Sequence, residues 1–181
     1  MQPCLLLVLA LLGSASASPP APASPEAEDA ALEVPEEEEE DGRCPLESET
    51  RALSIPNALG ATTTFRYVIV TRCQSFRRAQ RTCARCYRGR LASIHSYSIN
   101  VFLQRQARLC TNRGQVWIGA ITWPLGRRLR CRWSDRSAWN YSYWLRGYPL
   151  RSRRYCTSLC TNNGRWRSLR CRVRLPFICE Y

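Results

Sequence analysis

The chain has 181 residues, contains no lysine and carries a formal net charge of +13, because 27 arginines outnumber 14 carboxylates. Residues 1–64 hold 12 carboxylates and two arginines, for a charge of −10, whereas residues 65–181 hold 25 arginines and two carboxylates, for +23. Every aromatic residue lies in the second part, so only that part can bury a core. The split in charge excludes a uniformly basic histone-like tail and an ordinary cytosolic enzyme, and it favours a secreted precursor.

The first predicted element is a signal peptide over residues 1–17. Residues 4–12 form an apolar run shorter than the roughly 20 residues of a transmembrane helix. Ala15-Ser16-Ala17 follows with the pattern of a signal-peptide cleavage site. No later apolar stretch reaches transmembrane length. We therefore expect a protein that is secreted or stored in a granule of the secretory route.

The second element, residues 18–64, is predicted to be a disordered acidic segment. It is rich in proline, alanine and glutamate, includes Glu36–Glu40, and lacks the apolar content that would offset the entropy of ordering. One interpretation is a solvated linker. The other is a pro-segment that neutralises the basic part in cis until proteolysis removes it near residues 61–65. Abutting charges of opposite sign favour the pro-segment, and salt screening over about 8 Å requires the two parts to touch.

The cysteines predict a disulfide framework, as is usual in an oxidising compartment. Omitting Cys4, one cysteine lies in the acidic segment and nine lie in residues 65–181. Because nine is odd, removal of the acidic segment would leave at least one thiol that is free or paired with another chain. Cys83 and Cys86 have CxxC spacing, but with Phe76 and Ala79 they fall on one face of a predicted helix. We therefore expect neither a redox nor a metal site there.

Residues 65–181 are predicted to form two helices and several short strands. In chain order the predictions are a strand at 65–71, a helix at 75–87, a helix at 98–109, a strand at 115–119, loops from 123 to 155, and strands at 155–158 and 165–167. In the second helix one side is expected to carry Ile99, Phe102, Gln106 and Leu109. Asn162-Asn163-Gly164 is a hairpin turn signal between the last two strands.

Several motifs in this part resemble one family of proteins. They are Cys83-Ala-Arg-Cys-Tyr-Arg-Gly89, Leu91-Ala-Ser-Ile-His95, Gly114-Gln-Val-Trp-Ile-Gly119, Trp139-Asn-Tyr-Ser-Tyr-Trp144 and Leu175-Pro-Phe-Ile-Cys179. In this order they resemble the eosinophil granule major basic protein family (bone marrow proteoglycan, proteoglycan 3), which has a C-type lectin-like domain. The resemblance implies an α+β fold of two helices, short antiparallel strands and long loops over residues 65–181.

The resemblance also implies two disulfides, Cys83–Cys179 and Cys156–Cys171. The chain departs from the family at Phe65, where the family has a cysteine. The pairing of the other cysteines stays open; these are Cys44, Cys73, Cys86, Cys110, Cys131 and Cys160.

The sequence predicts no metal and no cofactor. Calcium requires six to eight oxygen ligands, several of them carboxylates. Where lectins of this class carry Glu-Pro-Asn, this chain has Tyr148-Pro149-Leu150, and where they carry Trp-Asn-Asp it has Trp166-Arg167-Ser168. Asp135 and Glu180 are the remaining carboxylates of residues 65–181. We therefore expect no calcium-dependent sugar site.

Eleven arginines are the candidate polyanion-binding residues. Two trios alternate with other residues, and an extended backbone would place each trio along one face. A solvated basic surface without a specific partner is the alternative, but a charge of +23 on one domain favours an acidic partner. The candidates are Arg128, Arg130, Arg132, Arg151, Arg153, Arg154, Arg165, Arg167, Arg170, Arg172 and Arg174.

The expected partners follow from the guanidinium group, whose planar fork binds sulfate, phosphate and carboxylate in a bidentate manner. They are heparin or heparan sulfate chains, anionic membrane surfaces and, without sequence specificity, nucleic acid. Trp123, Trp144, Tyr148 and Trp166 add aromatic bodies among the arginines, although Trp166 also suits a core position.

The resemblance adds a function to this chemistry: a cationic defence protein of an immune-cell granule, toxic to parasites, bacteria or host cells once the acidic segment is removed. Two alternatives remain open. One is a non-toxic glycosaminoglycan-binding module, and the other is a disulfide-linked partner or inhibitor of another secreted protein, for which Cys44 or Cys73 would supply the thiol.

Catalysis is not expected. Acid–base hydrolysis of RNA normally needs paired histidines or a histidine with a carboxylate. The chain has one histidine, His95, and no Gly-x-Ser-x-Gly motif. Asn140-Tyr-Ser142 is an N-glycosylation sequon, which makes Asn140 a candidate glycosylation site.

Overall fold

The computed structural model describes residues 43–56 and 62–181. The predicted signal peptide, residues 1–17, and the acidic run at residues 36–41 lie outside the described residues. The elements are a 3₁₀ turn at Glu47–Glu49, strands β1 (Thr50–Pro56) and β2 (Thr62–Gln74), helix α1 (Phe76–Tyr87), β3 (Arg90–Leu91), helix α2 (Tyr97–Cys110), β4 (Gln115–Leu125), β5 (Arg128–Trp133), β6 (Tyr155–Cys160), β7 (Trp166–Leu169) and β8 (Leu175–Glu180).

One sheet connects these strands in the order β1-β2-β8-β4-β6-β7, with β3 added beside β8 and β5 beside β4. The pairings are antiparallel except between β4 and β8, which meet in parallel at Trp117 and Phe177. Two helices against a mostly antiparallel sheet with long connections confirm the predicted α+β lectin-like fold. Neither helix in the described part of the chain is long and apolar enough to cross a membrane.

Each face of the sheet carries an apolar core. On the α1 face, Phe76, Ala79 and Cys83 of the first helix pack against strand residues that include Trp117 and Ile121. On the α2 face, the second helix packs against a cluster that also holds the indoles of Trp133 and Trp166, both fully buried. Side chains alternate between the two faces along every strand, so residue parity decides which core a strand residue joins.

Helix α2 buries only part of the predicted side, since Ile99 and Phe102 are half-buried against the core. Asn100, Leu103 and Ala107 are buried, whereas Leu109 is 76% exposed, so the prediction for Leu109 is wrong. The cause is polar: Asn100 Oδ1 accepts from the indole Nε1 of Trp166 at 2.7 Å, and Asn100 Nδ2 donates to the carbonyl of Gly164 at 3.0 Å. These bonds satisfy an amide in the core, at a position that periodicity assigns to solvent.

Part of the acidic segment that was expected to be disordered is structured. Residues 50–56 form β1, which pairs with β2 from Thr50↔Val70 to Pro56↔Thr62, and Leu53 is buried. Before β1, the backbone carbonyl of Glu49 accepts from Thr71 Oγ1 at 3.1 Å, and that of Arg43 accepts from Arg72 Nη2 at 3.0 Å. By pairing with β2, this segment satisfies its backbone hydrogen-bonding groups although its apolar content is low. Composition alone does not reveal such pairing.

Three disulfides link the described residues. Cys83–Cys179 and Cys156–Cys171 are the pairs that the resemblance implies, and Cys44–Cys86 resolves two of the open cysteines. Cys44 is therefore paired within the chain and is not the free thiol that a disulfide-linked partner would need. In the described part, Cys73, Cys110, Cys131 and Cys160 are unpaired, and burial raises the pKa of the Cys110 and Cys131 thiols.

Candidate functional site

The first arginine trio lies on the exposed side of a hairpin. Predicted loop residues 123–133 contain the end of β4 and all of β5, joined by a tight turn in which Gly126 has a φ of 57°, a value that favours glycine. Along β5 the arginines at 128, 130 and 132 are exposed, while the intervening residues are more buried. The alternation agrees with the extended backbone expected for this trio.

The arginines of β5 lie directly opposite apolar residues of β4. The cross-strand pairs are Leu125↔Arg128, Trp123↔Arg130 and Ile121↔Arg132. Because paired residues in an antiparallel ladder share a face, all six side chains are on the α1 face. The guanidinium carbon of Arg132 lies 5.5 Å from the centroid of the Trp123 ring, within cation–π range. We call these six residues the hairpin face.

Three further candidate arginines lie beside the hairpin. Tyr155, the first residue of β6, pairs with Thr122 of β4, so the chain that leads into Tyr155 runs alongside the hairpin. Arg151, Arg153 and Arg154 are in that stretch, and all three are exposed. Strand β4 therefore lies between these loop arginines and the β5 trio, because β5 pairs with one edge of β4 and β6 with the other; both groups flank the same end of β4.

The second trio does not form an extended strand. Residues 170–174 form a turn, in which the Val173 amide donates to the Arg170 carbonyl at 3.1 Å. The Cys156–Cys171 disulfide ties this turn to β6, and the Phe76 amide donates to the Cys171 carbonyl at 2.9 Å. Arg172 and Arg174 are exposed and Arg170 is half-buried, so the expectation of one shared extended face is wrong for this trio.

Arg165 and Arg167 lie apart from the hairpin. Arg165 lies at the Cys160 end of β6, roughly 17 Å from its Tyr155 end at about 3.3 Å per residue, and Arg167 lies on β7, across β6 from the hairpin. The guanidinium of Arg165 lies over the Tyr143 ring at 4.1 Å from the centroid. Arg167 is half-buried opposite Ser158, and its Nε is buried without a hydrogen-bond partner.

The loop that precedes β6 is held by an aromatic cluster. The Trp133 and Trp139 ring centroids are 4.9 Å apart, and Trp166 meets Trp133, Trp139 and Trp144 edge to face at 5.5 to 6.0 Å. Trp166 is fully buried, which makes it a core residue. The long loop is thus anchored by packing.

The two carboxylates of the basic part are held in one polar network. Ser137 Oγ donates to Asp135 Oδ1 and Ser93 Oγ donates to Asp135 Oδ2, both at 2.7 Å. The Ser93 amide donates to Glu180 Oε2 at 3.0 Å. His95 joins through its Nε2, 3.1 Å from Ser137 Oγ. These hydrogen bonds connect the segment between β3 and α2 to the loop after β5 and to β8. The network therefore has a structural role.

Burial acts to raise the pKa of Asp135, but the hydrogen bonds from Ser137 and Ser93 favour the ionised form more strongly. The net effect is a pKa below the usual value for an aspartate. Burial raises the pKa of Glu180. A lowered folded pKa stabilises the fold above the unfolded value of about 3.9, and this contribution is lost as the pH falls through the folded pKa. The raised pKa of Glu180 has the opposite effect on the free energy of unfolding. The protonated Glu180 stabilises the fold below about pH 4.3, and this stabilisation is lost as the pH rises through the folded pKa.

Asp135→Asn is therefore expected to lower the free energy of unfolding by about 1 kcal/mol at pH 7. This is less than the roughly 1.5 kcal/mol of a buried hydrogen bond to a charged group, because the carboxylate is half-exposed. The deficit should shrink below about pH 3.9. Glu180→Gln is the control, since the amide oxygen can still accept from Ser93 and a costly buried charge is removed. Urea unfolding at pH 7 and pH 3 measures both. A deficit for Asp135→Asn that is equal at the two pH values would contradict this assignment.

The positions where related lectins bind calcium carry other chemistry. The Tyr148–Pro149 peptide is cis, and the Leu150 amide donates to Ser168 Oγ at 3.1 Å. Within residues 43–56 and 62–181, no three His, Cys, Asp or Glu side chains are grouped so that they could hold a metal ion. Asn140 is exposed, and its Oδ1 lies 2.7 Å from His95 Nδ1; its glycosylation stays a prediction.

A protein-family model described as the lectin C-type domain matches residues 72–181. The chain is 45% identical to bone marrow proteoglycan of Mus musculus, over 78% of this chain and 61% of that protein. It is 43% identical to eosinophil granule major basic protein 1 of Cavia porcellus, over 78% and 60%, and 40% identical to proteoglycan 3 of Mus musculus, over 86% and 68%. The chain spans between half and two thirds of the length of the bone marrow proteoglycans that it matches.

Solved structures show the same architecture. Human lithostathine superposes with a TM-score of 0.59 at 25% identity, covering 67% of this chain and 85% of that one. A calcium-independent type II antifreeze protein superposes with a TM-score of 0.55 at 20% identity, covering 71% and 95%, which shows the fold alone.

Proposed function

The chain belongs to the lectin C-type domain family, within its group of bone marrow proteoglycans and eosinophil major basic proteins, and we propose that it is a secreted, granule-stored cationic defence protein that binds polyanions without calcium. The family is not one of enzymes, in agreement with the prediction that the chain has no catalytic site. Granule storage is proposed from the relative that is named as an eosinophil granule protein.

One observation supports the proposal: three arginines are exposed on one face of β5, and three more are exposed in the loop that leads into β6, across β4. The first three are Arg128, Arg130 and Arg132, and the others are Arg151, Arg153 and Arg154. A sulfated chain that runs along β5 would meet an arginine at every second residue, with the arginine Cα atoms about 6.6 Å apart. Each guanidinium group can bind a sulfate in a bidentate manner. Heparan-type chains are therefore the first proposed ligand, and nucleic acid would bind only through its phosphates.

The proposed binding does not use a metal ion, because the oxygen ligands of a calcium site are replaced by Tyr148-Pro149-Leu150 and Arg167. The acidic residues 18–41 are proposed to mask the basic surface in the precursor, and their removal is proposed to activate the protein. Residues 43–56 belong structurally to the folded domain, so the masking part of the segment precedes them.

Heparin binding tests the proposal directly. The recombinant domain is expected to remain on heparin beads in EDTA and to be released by high salt, because the contacts are ionic. Release by EDTA, or retention in molar salt, would contradict calcium-independent ionic binding. Beads without heparin supply the control for non-specific adsorption.

Anionic membranes are the second proposed target, and the side chains at the tip of the hairpin support this proposal. Leu125 is 55% exposed and is opposite Arg128. An exposed apolar side chain beside arginines contributes nothing to a sulfated polysaccharide, whereas a bilayer accepts both groups.

Leu125→Ser is expected to weaken binding to vesicles that contain an anionic phospholipid by about tenfold, since burying a leucine side chain contributes about 1.5 kcal/mol or more. Its heparin affinity should be unchanged. Leu109→Ser, at an exposed leucine on α2, is the matched control and should leave both affinities unchanged. Vesicle co-sedimentation and dye leakage measure the effect. Equal losses for the two variants would contradict a role for the tip.

A further inference from the structure

The Cys44–Cys86 disulfide joins the acidic segment to the basic domain. Cys44 precedes β1, and Cys86 lies in the last turn of α1, 42 residues away in sequence. The pro-segment is expected to end near residues 61–65, and a cut there, or anywhere after Pro56, leaves this bond intact. All residues before the cut then stay attached to the domain through Cys44.

The noncovalent contacts of the same segment reinforce the bond. Strand β1 pairs with β2 along its length, and the 3₁₀ turn before it contacts Thr71 through the carbonyl of Glu49. Leu53 is buried in the core of the α2 face. Residues 43–56 are therefore an integral edge of the sheet, and proteolysis alone would not remove it.

We propose that the acidic segment is released in two steps, proteolysis between β1 and β2 followed by reduction of the Cys44–Cys86 disulfide by a dithiol. The nicked protein is a two-chain molecule that still carries the acidic residues. This retention stands on the disulfide and the strand pairing alone. Its consequence, that the nicked protein stays masked, rests on the proposed function.

Exposure makes this disulfide the one that a dithiol reaches first. Cys44 is exposed and Cys86 is half-buried, whereas Cys83 and Cys179 are fully buried. In the third disulfide Cys171 is half-buried and Cys156 is 2% exposed, so neither of its sulfurs lies in an exposed residue as Cys44 does. A thiolate of the dithiol attacks Cys44 Sγ, the Cys44–Cys86 bond breaks, and the Cys86 thiolate leaves and takes up a proton. The second thiol of the reagent then displaces Cys44, so two protein thiols form and the dithiol is oxidised to its disulfide.

Reduction changes the nicked protein from a covalent molecule into a weak complex. Among the described side chains of β1, the buried one is Leu53. Without the covalent link, association of this short strand must offset the loss of translational and rotational freedom. We therefore expect the acidic fragment to dissociate on dilution once the bond is reduced.

The test uses the full secreted chain with residues 57–61 replaced by the recognition site of a specific protease. After cutting, non-reducing gels should show one species and reducing gels two. Gel filtration at micromolar concentration should separate the fragments only after dithiothreitol treatment. Alkylation and mass mapping at low dithiothreitol should label Cys44 and Cys86 before Cys83 and Cys179. The matched control is Cys44→Ser/Cys86→Ser, which should lose its acidic fragment after cutting without reductant.

Separation of the unreduced fragments, or earlier labelling of Cys83 and Cys179, would overturn the two-step release. Fragments that stay together after reduction and dilution would also overturn it, since β1 would then suffice for retention. Heparin elution distinguishes this from the proposed function. A nicked protein that stays joined until reduced but binds heparin equally before and after reduction would refute the masking role and leave the covalent retention intact.

Discussion

Removing the Cys83–Cys179 disulfide by a double substitution to alanine is expected to lower the free energy of unfolding by about 4.7 kcal/mol. The two cysteines are 96 residues apart in sequence, and chain-entropy arguments assign about that cost to a loop of roughly 100 residues. This is comparable to the whole stability of many small domains. We therefore expect the variant to be largely unfolded at 37 °C.

The Cys156→Ala/Cys171→Ala variant provides the comparison within the same domain. Its cysteines are 15 residues apart, for which the same argument gives about 3 kcal/mol. Urea unfolding of both variants, followed by intrinsic tryptophan fluorescence, measures the order. A greater loss for the shorter loop would show that local strain or packing, and not loop closure, determines the contribution of these disulfides.

The second large effect concerns binding. Replacing Arg128, Arg130 and Arg132 together by glutamine is expected to weaken heparin affinity by about 30-fold at physiological salt. The estimate takes about 0.7 kcal/mol for each exposed charge-assisted contact. The fold should be retained, because all three side chains are exposed on β5 and the one described contact that is lost is the cation–π contact of Arg132 with Trp123.

A control with the same charge loss separates location from net charge. Arg105, Arg108 and Arg113 are exposed on or just after α2, and their replacement by glutamine also removes three positive charges. This variant is expected to lose no more than a fewfold in affinity, through the weaker overall field. Isothermal titration with a short heparin oligosaccharide measures both. Equal losses would mean that net charge alone determines binding.

The parts that the sequence predicted correctly depend on short-range patterns. Asn162-Asn163-Gly164 indicates the turn in which Gly164 has a φ of 71°. The period-two arginines at 128–132 do share one face, although the prediction of loops over residues 123–133 is wrong. The order of cysteine and tryptophan motifs identifies the fold. Each of these signals is contained within a few residues or in the order of motifs along the chain.

The parts that it missed depend on contacts between distant residues. Strand β1 exists because Cys44 bonds Cys86 and because β2 offers a free edge, and neither fact can be read from an acidic segment of low apolar content. The turn at residues 170–174 is held by the Cys171 disulfide to β6 and by the Phe76 amide. Asn100 faces the core because its partners, Trp166 and Gly164, are more than 60 residues away.

The salt dependence of heparin affinity in EDTA tests the central claim most directly. The logarithm of the affinity should fall linearly with the logarithm of the salt concentration, because bound counterions are released. The slope should decrease by about 2 to 3 for the Arg128, Arg130 and Arg132 variant, close to one ion for each lost contact, and should be unchanged for the α2 variant. Slopes that fall equally in both variants, or binding that disappears when EDTA is added, would contradict a calcium-independent polyanion site on the hairpin face.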